Sequence, residues 1–454
     1  MFIGREQELA QLMDAIGAER SATLIYGKRR VGKTTLIKQA LAQSDKPCVY
    51  YECLKGTLDD NIAGLAKAMQ DAGLLRFSTM FSSFQDVFAY LSSLGKPVVI
   101  VIDEYSYLKS MADAAMVDSI FQSIIDNHLA NINLVVSGSH VGIMKEMLEE
   151  NNALYGRFNT VIHLREFSYR DAAAFYLSKS SYDKPGFYAV FGGSPYILKE
   201  LNDRASLKEN IIKTVLNESS PVQLYAANLL LSEYSNSVNA ERILAVLGNG
   251  KKRYTELESK LNTNKTGNLA KQLKTLTTLE IVKKTAPINK LHDAKKVGYE
   301  VNDNLMRFYF TYVYRNRSAL QMLGAETFYE QYIAPTLTEY ISRRFEELCR
   351  DFFSFLAKQG KLPGISNIGT YYYDDPATKT NGEFDVALEF GKEYTIVEAK
   401  YYKGKLTRDE INREIGQVRK ITELSVAGIG FVSVGGFENP DLPYLYYTGD
   451  DMFA

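Results

Sequence analysis

The chain has 454 residues, 46% of them apolar, 24% charged and 12% aromatic, which excludes a disordered or collagen-like polypeptide and suits about three globular domains. The 53 Lys and Arg nearly cancel the 54 Asp and Glu, so a globally basic nucleic-acid coat is excluded while a local basic face is not. Three cysteines (Cys48, Cys53, Cys349) without metal-ligand spacing, and four His, point to a reducing compartment and away from a structural zinc site.

Charge at Arg5 and Glu6 comes too early for a secretory signal, and the apolar run Val98–Ile102 is far too short to span a bilayer. The expectation is a soluble cytoplasmic protein with no membrane partner. Residues 1–205 alternate helical and strand patterns: a helix over Gln7–Ile16, strands at Thr23–Tyr26, Pro97–Ile102 and Asn133–Val136, and a helix over Thr34–Ala42. That alternation predicts an α/β fold, a parallel sheet covered on both faces.

Residues 206–325 read as mostly helical, with short helices over Leu224–Leu231, Ala240–Leu247, Tyr254–Leu261 and Gly267–Thr277. Ile281–Lys284 and Gly298–Val301 would pair after them as a wing, which predicts a winged helix-turn-helix. Residues 241–300 hold thirteen Lys and Arg against six Asp and Glu, a local +7 that leaves −8 for the remainder. In residues 326–454 an apolar-faced helix (Phe345, Leu348, Phe352, Leu356) precedes strands at Glu383–Phe390 and Tyr394–Lys400, a charged helix near 407–424 and a strand near Gly430–Val434. This predicts a third, α/β unit at the end of the chain.

Gly27-Lys28-Arg29-Arg30-Val31-Gly32-Lys33-Thr34 satisfies G-x-x-x-x-G-K-[ST] between a predicted strand and helix. Glycines let successive N–H groups turn inward on phosphate oxygens, and the helix N-terminus adds its positive dipole end. Lys33 would reach the β- and γ-phosphates of ATP, the Thr34 hydroxyl would ligate Mg²⁺, and Thr35 follows in the same turn. Val98–Ile102 ends in Asp103-Glu104, where open α/β sheets bind ligands; Asp103 would hold the Mg²⁺ shell and Glu104 polarise the attacking water.

On these motifs residues 2–200 resemble the archaeal-type ATPases, P-loop proteins of the AAA/STAND branch related to origin-recognition ATPases. The resemblance places Gly4 and Arg5, in Phe2-Ile-Gly-Arg-Glu6, near the adenine. It makes Ser139 the γ-phosphate sensor, with Ser137 its rival, and implies that Arg157 touches a γ-phosphate within or between subunits. A salt-bridged surface arginine is the competing assignment. Pro195, in Phe191-Gly-Gly-Ser-Pro195, resembles the family's turn over the base, and equally a plain helix–helix turn. Tyr299–Phe308 resembles the segment that ends the family's winged helix. Its recognition helix would carry Lys271, Gln272 and Lys274, with Lys283 and Lys284 at the wing, which makes DNA a candidate partner. In this branch the winged helix also packs on the ATPase core, so DNA contact stays open.

Asp385 is followed thirteen residues later by Glu398-Ala-Lys400. Glu398 and Lys400, two apart on a strand, share a face, and a turn at Gly391 brings Asp385 beside them. Two carboxylates and a lysine on neighbouring strands can hold Mg²⁺ and orient water for phosphodiester attack. The pattern resembles the PD-(D/E)xK fold of restriction enzymes and Holliday-junction resolvases, which archaeal-type ATPases often carry. Glu346 then matches the extra acidic residue and Gln417 the accessory position; Phe384 stands where the family motif has proline. The combined expectation is an ATPase whose nucleotide state controls a DNA-cleaving effector. A non-cleaving DNA- or protein-binding switch and a scaffold that forms a homo-oligomer on ATP binding stay open.

Overall fold

A computed structural model describes residues 2–77, 79–111, 114–233, 240–262, 268–375, 379–421, 424–440 and 443–454. Gly267, the expected start of the recognition helix, and residues 422 and 423, in the expected 407–424 helix, lie outside the described residues. The chain forms two compact units, Met1–Phe167 with Ser194–Tyr196, and Ser168–Gly193 with Ile197–Ala454.

The first unit is built on five parallel strands: β1 Ser21–Tyr26, β2 Cys48–Glu52, β3 Val98–Asp103, β4 Ile132–Gly138 and β5 Thr160–His163, ordered β2-β3-β4-β1-β5. β1, β3 and β4 are buried at every position, as expected of parallel strands covered by helices on both faces. Alternation divides their side chains. Leu24, Ile100, Ile102, Leu134 and Val136 join one core, whereas Ile25, Val99, Val101 and Val135 join another with Leu12, Ile16, Leu36 and Ile37 of the helices Glu6–Gly17 and Lys33–Ala42. β2 and β5 lie outside the strands that the hydrophobic pattern marked, because neither is a run of aliphatic residues: two tyrosines and Glu52 make up most of β2, and β5 has only two aliphatics between Thr160 and His163.

The second unit begins with a helical region. The helices Pro221–Glu233, Ala240–Leu247, Tyr254–Leu261 and Asn268–Thr278 accompany a small antiparallel sheet of β6 Lys252–Arg253, β7 Val282–Thr285 and β8 Gly298–Val301, in the order β6-β8-β7. A 25-residue helix, Ala334–Lys358, leads into a mixed sheet of β9 Asn367–Asp375, β10 Thr380–Phe390, β11 Glu393–Lys400, β12 Val426–Ser433 and β13 Leu445–Thr448. Its order is β13-β12-β11-β10-β9, antiparallel from β9 to β11 and parallel from β11 to β13. Gly391, at φ 68°, turns β10 into β11.

The long helix packs on β9, β10 and β11. The helix Arg408–Arg419 contributes Ile411, Ile415 and Val418 to a core with Ala387, Ile396 and Phe431. It begins at a capping box in which Thr407 and Glu410 satisfy each other's backbone N–H groups. Among the described residues no helix is long and apolar enough to cross a membrane.

Candidate functional site

The loop between β1 and the helix Lys33–Ala42 is shaped by its glycines. A Cβ on Gly27 would fall 2.0 Å from the Leu164 carbonyl oxygen, and Gly32, at φ 99°, is the left-handed N-cap of the helix. Lys33 is buried and its Nζ donates to the carbonyls of Gly27 (2.9 Å) and Lys28 (3.0 Å). Val31 is buried, whereas Thr34 and Thr35 are exposed at the first turn.

Three further contacts tie the loop down. Arg29 donates to the Tyr107 hydroxyl at 2.9 Å. The Arg30 guanidinium lies 3.7 Å from the Tyr196 ring centroid, with Ser194 donating to the Arg30 carbonyl at 3.4 Å and Pro195 beside Gly32. Arg5 donates to the Val31 carbonyl (3.2 Å) and the Arg165 carbonyl (2.6 Å), and packs over Phe167. Gly4, at φ 51°, precedes it. Gly4, Arg5 and Ser194–Tyr196, distant in sequence, therefore belong to the same unit as the loop, with Arg5 and Ser194–Tyr196 in contact with it.

Facing the loop, the Thr34 hydroxyl donates to Asp103 Oδ2 at 3.1 Å. The Tyr50 hydroxyl donates to the same oxygen at 2.5 Å, and the Glu104 N–H donates to Oδ1 at 2.9 Å. Asp103 is 2% exposed, so this satisfaction is what makes a buried carboxylate tolerable. Burial and the adjacent Asp103 both push the Tyr50 phenol above its ordinary pKa, which keeps it a donor. Glu104 adopts φ 52°, a left-handed conformation unusual for a non-glycine residue and often found at functional sites. Its Oε2 accepts from Ser139 Oγ at 2.7 Å. Between the two serine candidates the geometry separates roles: Ser139 touches Glu104, while the Ser137 hydroxyl is buried with no hydrogen-bond partner among the described residues.

Arg157 is engaged elsewhere. Its Nε and Nη2 form a forked ion pair with Asp126, both nitrogens at 3.0 Å from a carboxylate oxygen, and Nη1 donates to the Ala153 carbonyl. That is the salt-bridged arrangement rather than a contact to the loop.

In the second unit β10 and β11 pair with Val386 opposite Val397, which sets Asp385 at the level of Glu398. Against β9 the register slips between Phe384 and Ala387, so Asp385 sits on a β-bulge, a device that re-aims a side chain. The Arg350 guanidinium donates to the Asp385 carbonyl. Lys400 Nζ lies 2.6 Å from Glu398 and 2.9 Å from Glu414. Burial disfavours its charge, but the two carboxylates outweigh that and raise its pKa.

Loss of water raises the carboxyl pKa of both Asp385 and Glu398; Arg350 opposes this at Asp385 and Lys400 at Glu398. Burial, reinforced by the charge of Asp385, pushes Glu346 up to about 7. The residues are thus gathered but not convergent: among the described residues no three His, Cys, Asp or Glu side chains stand close enough together to hold a metal ion.

Gln417 is exposed on the helix Arg408–Arg419, and Glu414, one turn earlier, is the residue that reaches Lys400. Tyr50, Asp126, Arg350 and Glu414 escaped the sequence motifs. Arg350 follows Glu346 by four, and helical spacing alone places the two on one face. Tyr50 needed β2 to be recognised as the neighbour of β3.

Fold and loop together define an α/β protein whose first unit is a parallel sheet carrying a phosphate-binding-loop motif at the end of β1. Residues 2–201 match the family model described as an ATPase domain predominantly from Archaea, and residues 309–414 match one described as Archaea bacterial proteins of unknown function. An uncharacterised protein of Methanocaldococcus jannaschii is 27% identical over 367 residues, 80% of each chain. Among solved structures, a Walker-type ATPase of Pyrococcus abyssi matches with a TM-score of 0.51 and 16% identity over 68% of this chain and 96% of its own.

Proposed function

We propose that this chain binds and hydrolyses ATP with Mg²⁺ in its first unit and that nucleotide state controls a metal-dependent, DNA-cleaving effector in its second. The observation that carries the ATPase reading is the pairing of Thr34 with Asp103, two hard oxygen donors at 3.1 Å, beside a Glu104 held by Ser139. Oxygen donors of this kind suit Mg²⁺, which would neutralise phosphate charge when bound. Lys33 and the loop N–H groups would bind the phosphates. Glu104 would orient the attacking water and accept its proton, and Ser139 would couple Glu104 to the γ-phosphate. Tyr50 would position Asp103.

The effector reading rests on Asp385 at the bulge facing Glu398-x-Lys400. Asp385 and Glu398 are the carboxylates that would hold a divalent cation, which supplies polarisation of the phosphodiester and of water. Their raised pKa values fit, because burial disfavours the charge of both carboxylates and a bound cation would offset that cost. Lys400 would steady developing negative charge, and Glu346 is tuned to exchange a proton near neutral pH. We further infer that the helical region with its three-stranded sheet is a winged helix-turn-helix, with Lys271 and Lys274 exposed on the candidate recognition helix. Lys283 does not share their candidate DNA role, because its ammonium is committed to Glu300 and Glu347, whereas Lys284 beside it is exposed.

A second reading, a non-cleaving ATP-dependent switch, is favoured by two observations: among the described residues no three metal-ligating side chains converge, and Lys400 is clamped by Glu398 and Glu414. The deciding experiment is cleavage of single-stranded, duplex and branched DNA with Mg²⁺ or Mn²⁺, with and without ATP, comparing wild type with Asp385→Ala. Cleavage lost in the variant supports the effector. ATPase activity without cleavage on any substrate supports the switch.

A further inference from the structure

The second unit contains a cavity of about 240 Å³ where the loop Gly248–Gly250 meets residues 307–312 and the first turns of the long helix. Three arginines line it, Arg307, Arg343 and Arg344, against a single carboxylate, Glu339. The two carboxylates that balance Arg307 and Arg344, Glu300 and Glu347, stand behind them and are not part of the wall. Glu300 and Glu347 are held below the usual carboxylate range: burial opposes their charge, but Lys283, Arg307 and Arg344 outweigh it. The cavity therefore meets Arg307 and Arg344 apart from the carboxylates that balance them, and Arg343 together with its own partner, Glu339.

Donor capacity points the same way. A guanidinium carries five N–H groups. Arg344 spends only Nη1, on Glu300 and Glu347, and Arg343 spends only Nη2, on Glu339, so that Nε of both, with Nη2 of Arg344 and Nη1 of Arg343, engages no protein acceptor among the described residues. The hydroxyl pair Tyr312–Thr336, at 3.1 Å, adds polar atoms to the same wall.

We infer that this cavity binds a phosphomonoester, its phosphoryl oxygens taken by Arg343 and Arg344. A dianionic group with three acceptor oxygens matches paired guanidinium forks. The volume, below the ~300–1,000 Å³ of sites for drug-sized ligands, limits the rest of the ligand inside the cavity to about a pentose. Two sources share that chemistry, a small sugar phosphate and the 5′-phosphorylated end of a nucleic acid strand.

The test uses the full chain carrying Lys33→Ala, so that the phosphate-binding loop does not compete. Fluorescence anisotropy follows a 3′-labelled trinucleotide with and without its 5′-phosphate, with ribose 5-phosphate and inorganic phosphate as competitors. The 5′-phosphorylated probe is expected to bind at least tenfold more tightly than the 5′-hydroxyl probe. Arg343→Ala, at an exposed position, should reduce that preference at least fivefold, and Arg344→Lys, which keeps the charge but not the fork, should reduce it too. Displacement by ribose 5-phosphate at comparable concentration identifies a small ligand, and displacement only by 5′-phosphorylated oligonucleotide identifies a strand end. Equal binding of the two probes, or a preference untouched by Arg343→Ala, overturns the proposal.

Discussion

Lys33 and Glu104 give the sharpest single-residue tests, because the role proposed for each has its own readout. Lys33→Ala should abolish nucleotide binding in equilibrium titration. Glu104→Gln should bind ATP normally and turn it over on the order of 10²–10⁴-fold more slowly, the usual worth of a positioned general base; hydrolysis at the wild-type rate would remove Glu104 from that role. Glu346 gives a pH signature. Its carboxyl stays protonated to about pH 7 in the folded chain but ionises near 4.5 when unfolded. The unfolded state therefore releases a proton first, and stability falls as pH rises from 4.5 to 7. Glu346→Gln should abolish that loss, raising stability above pH 7 by on the order of 2–3 kcal/mol in denaturant titrations, with little difference at pH 4.

The long helix Ala334–Lys358 works as an element with two faces. Arg344 and Glu347 join Lys283, Glu300 and Arg307 in an ion-pair network, while Glu346 and Arg350 address Asp385. Glu347→Ala would leave three cations competing for Glu300. The expected cost is roughly 2–4 kcal/mol, less than for a fully buried pair because Glu347 keeps some accessible surface; guanidinium unfolding of the purified variant measures it. In the other unit, Gly27→Ala would drive a Cβ into the Leu164 carbonyl, displacing backbone rather than a flexible side chain. A loss of about 1–3 kcal/mol in thermal stability, together with weakened nucleotide binding, is the expected outcome.

At the scale of the whole molecule, the chain reads most clearly where one physical rule dominates. The glycine-bounded loop and the buried strand ending in Asp103 were legible because phosphate binding and parallel-sheet burial each leave a short contiguous signature. β2 left none, since Tyr50 and Glu52 interrupt its apolar residues, and with it went the Tyr50 contact to Asp103. Glu414 was hidden for another reason. Its partnership with Lys400 depends on how a helix lies across a sheet, which helical periodicity alone cannot give; the family resemblance points instead to Gln417, one turn away. The proposed control of cleavage by nucleotide would belong to the whole chain: under that reading, Glu104→Gln with ATP should alter the cleavage rate at an unaltered effector site, and Lys400→Ala should lose cleavage while keeping full ATPase activity.

The bulge at Asp385 has a consequence for how such a protein diversifies. The strand ladder around it is regular on both sides, with Phe384 opposite Tyr371 and Ala387 opposite Gly369. The unpaired residue between them is therefore an insertion that the sheet tolerates rather than requires. A one-residue deletion there would let the pairing close up and redirect the carboxylate while the core of Ala387, Ile396 and Phe431 stayed filled. A chain of this kind can thus lose or regain the aim of that one side chain in a single genetic step, with the surrounding scaffold intact.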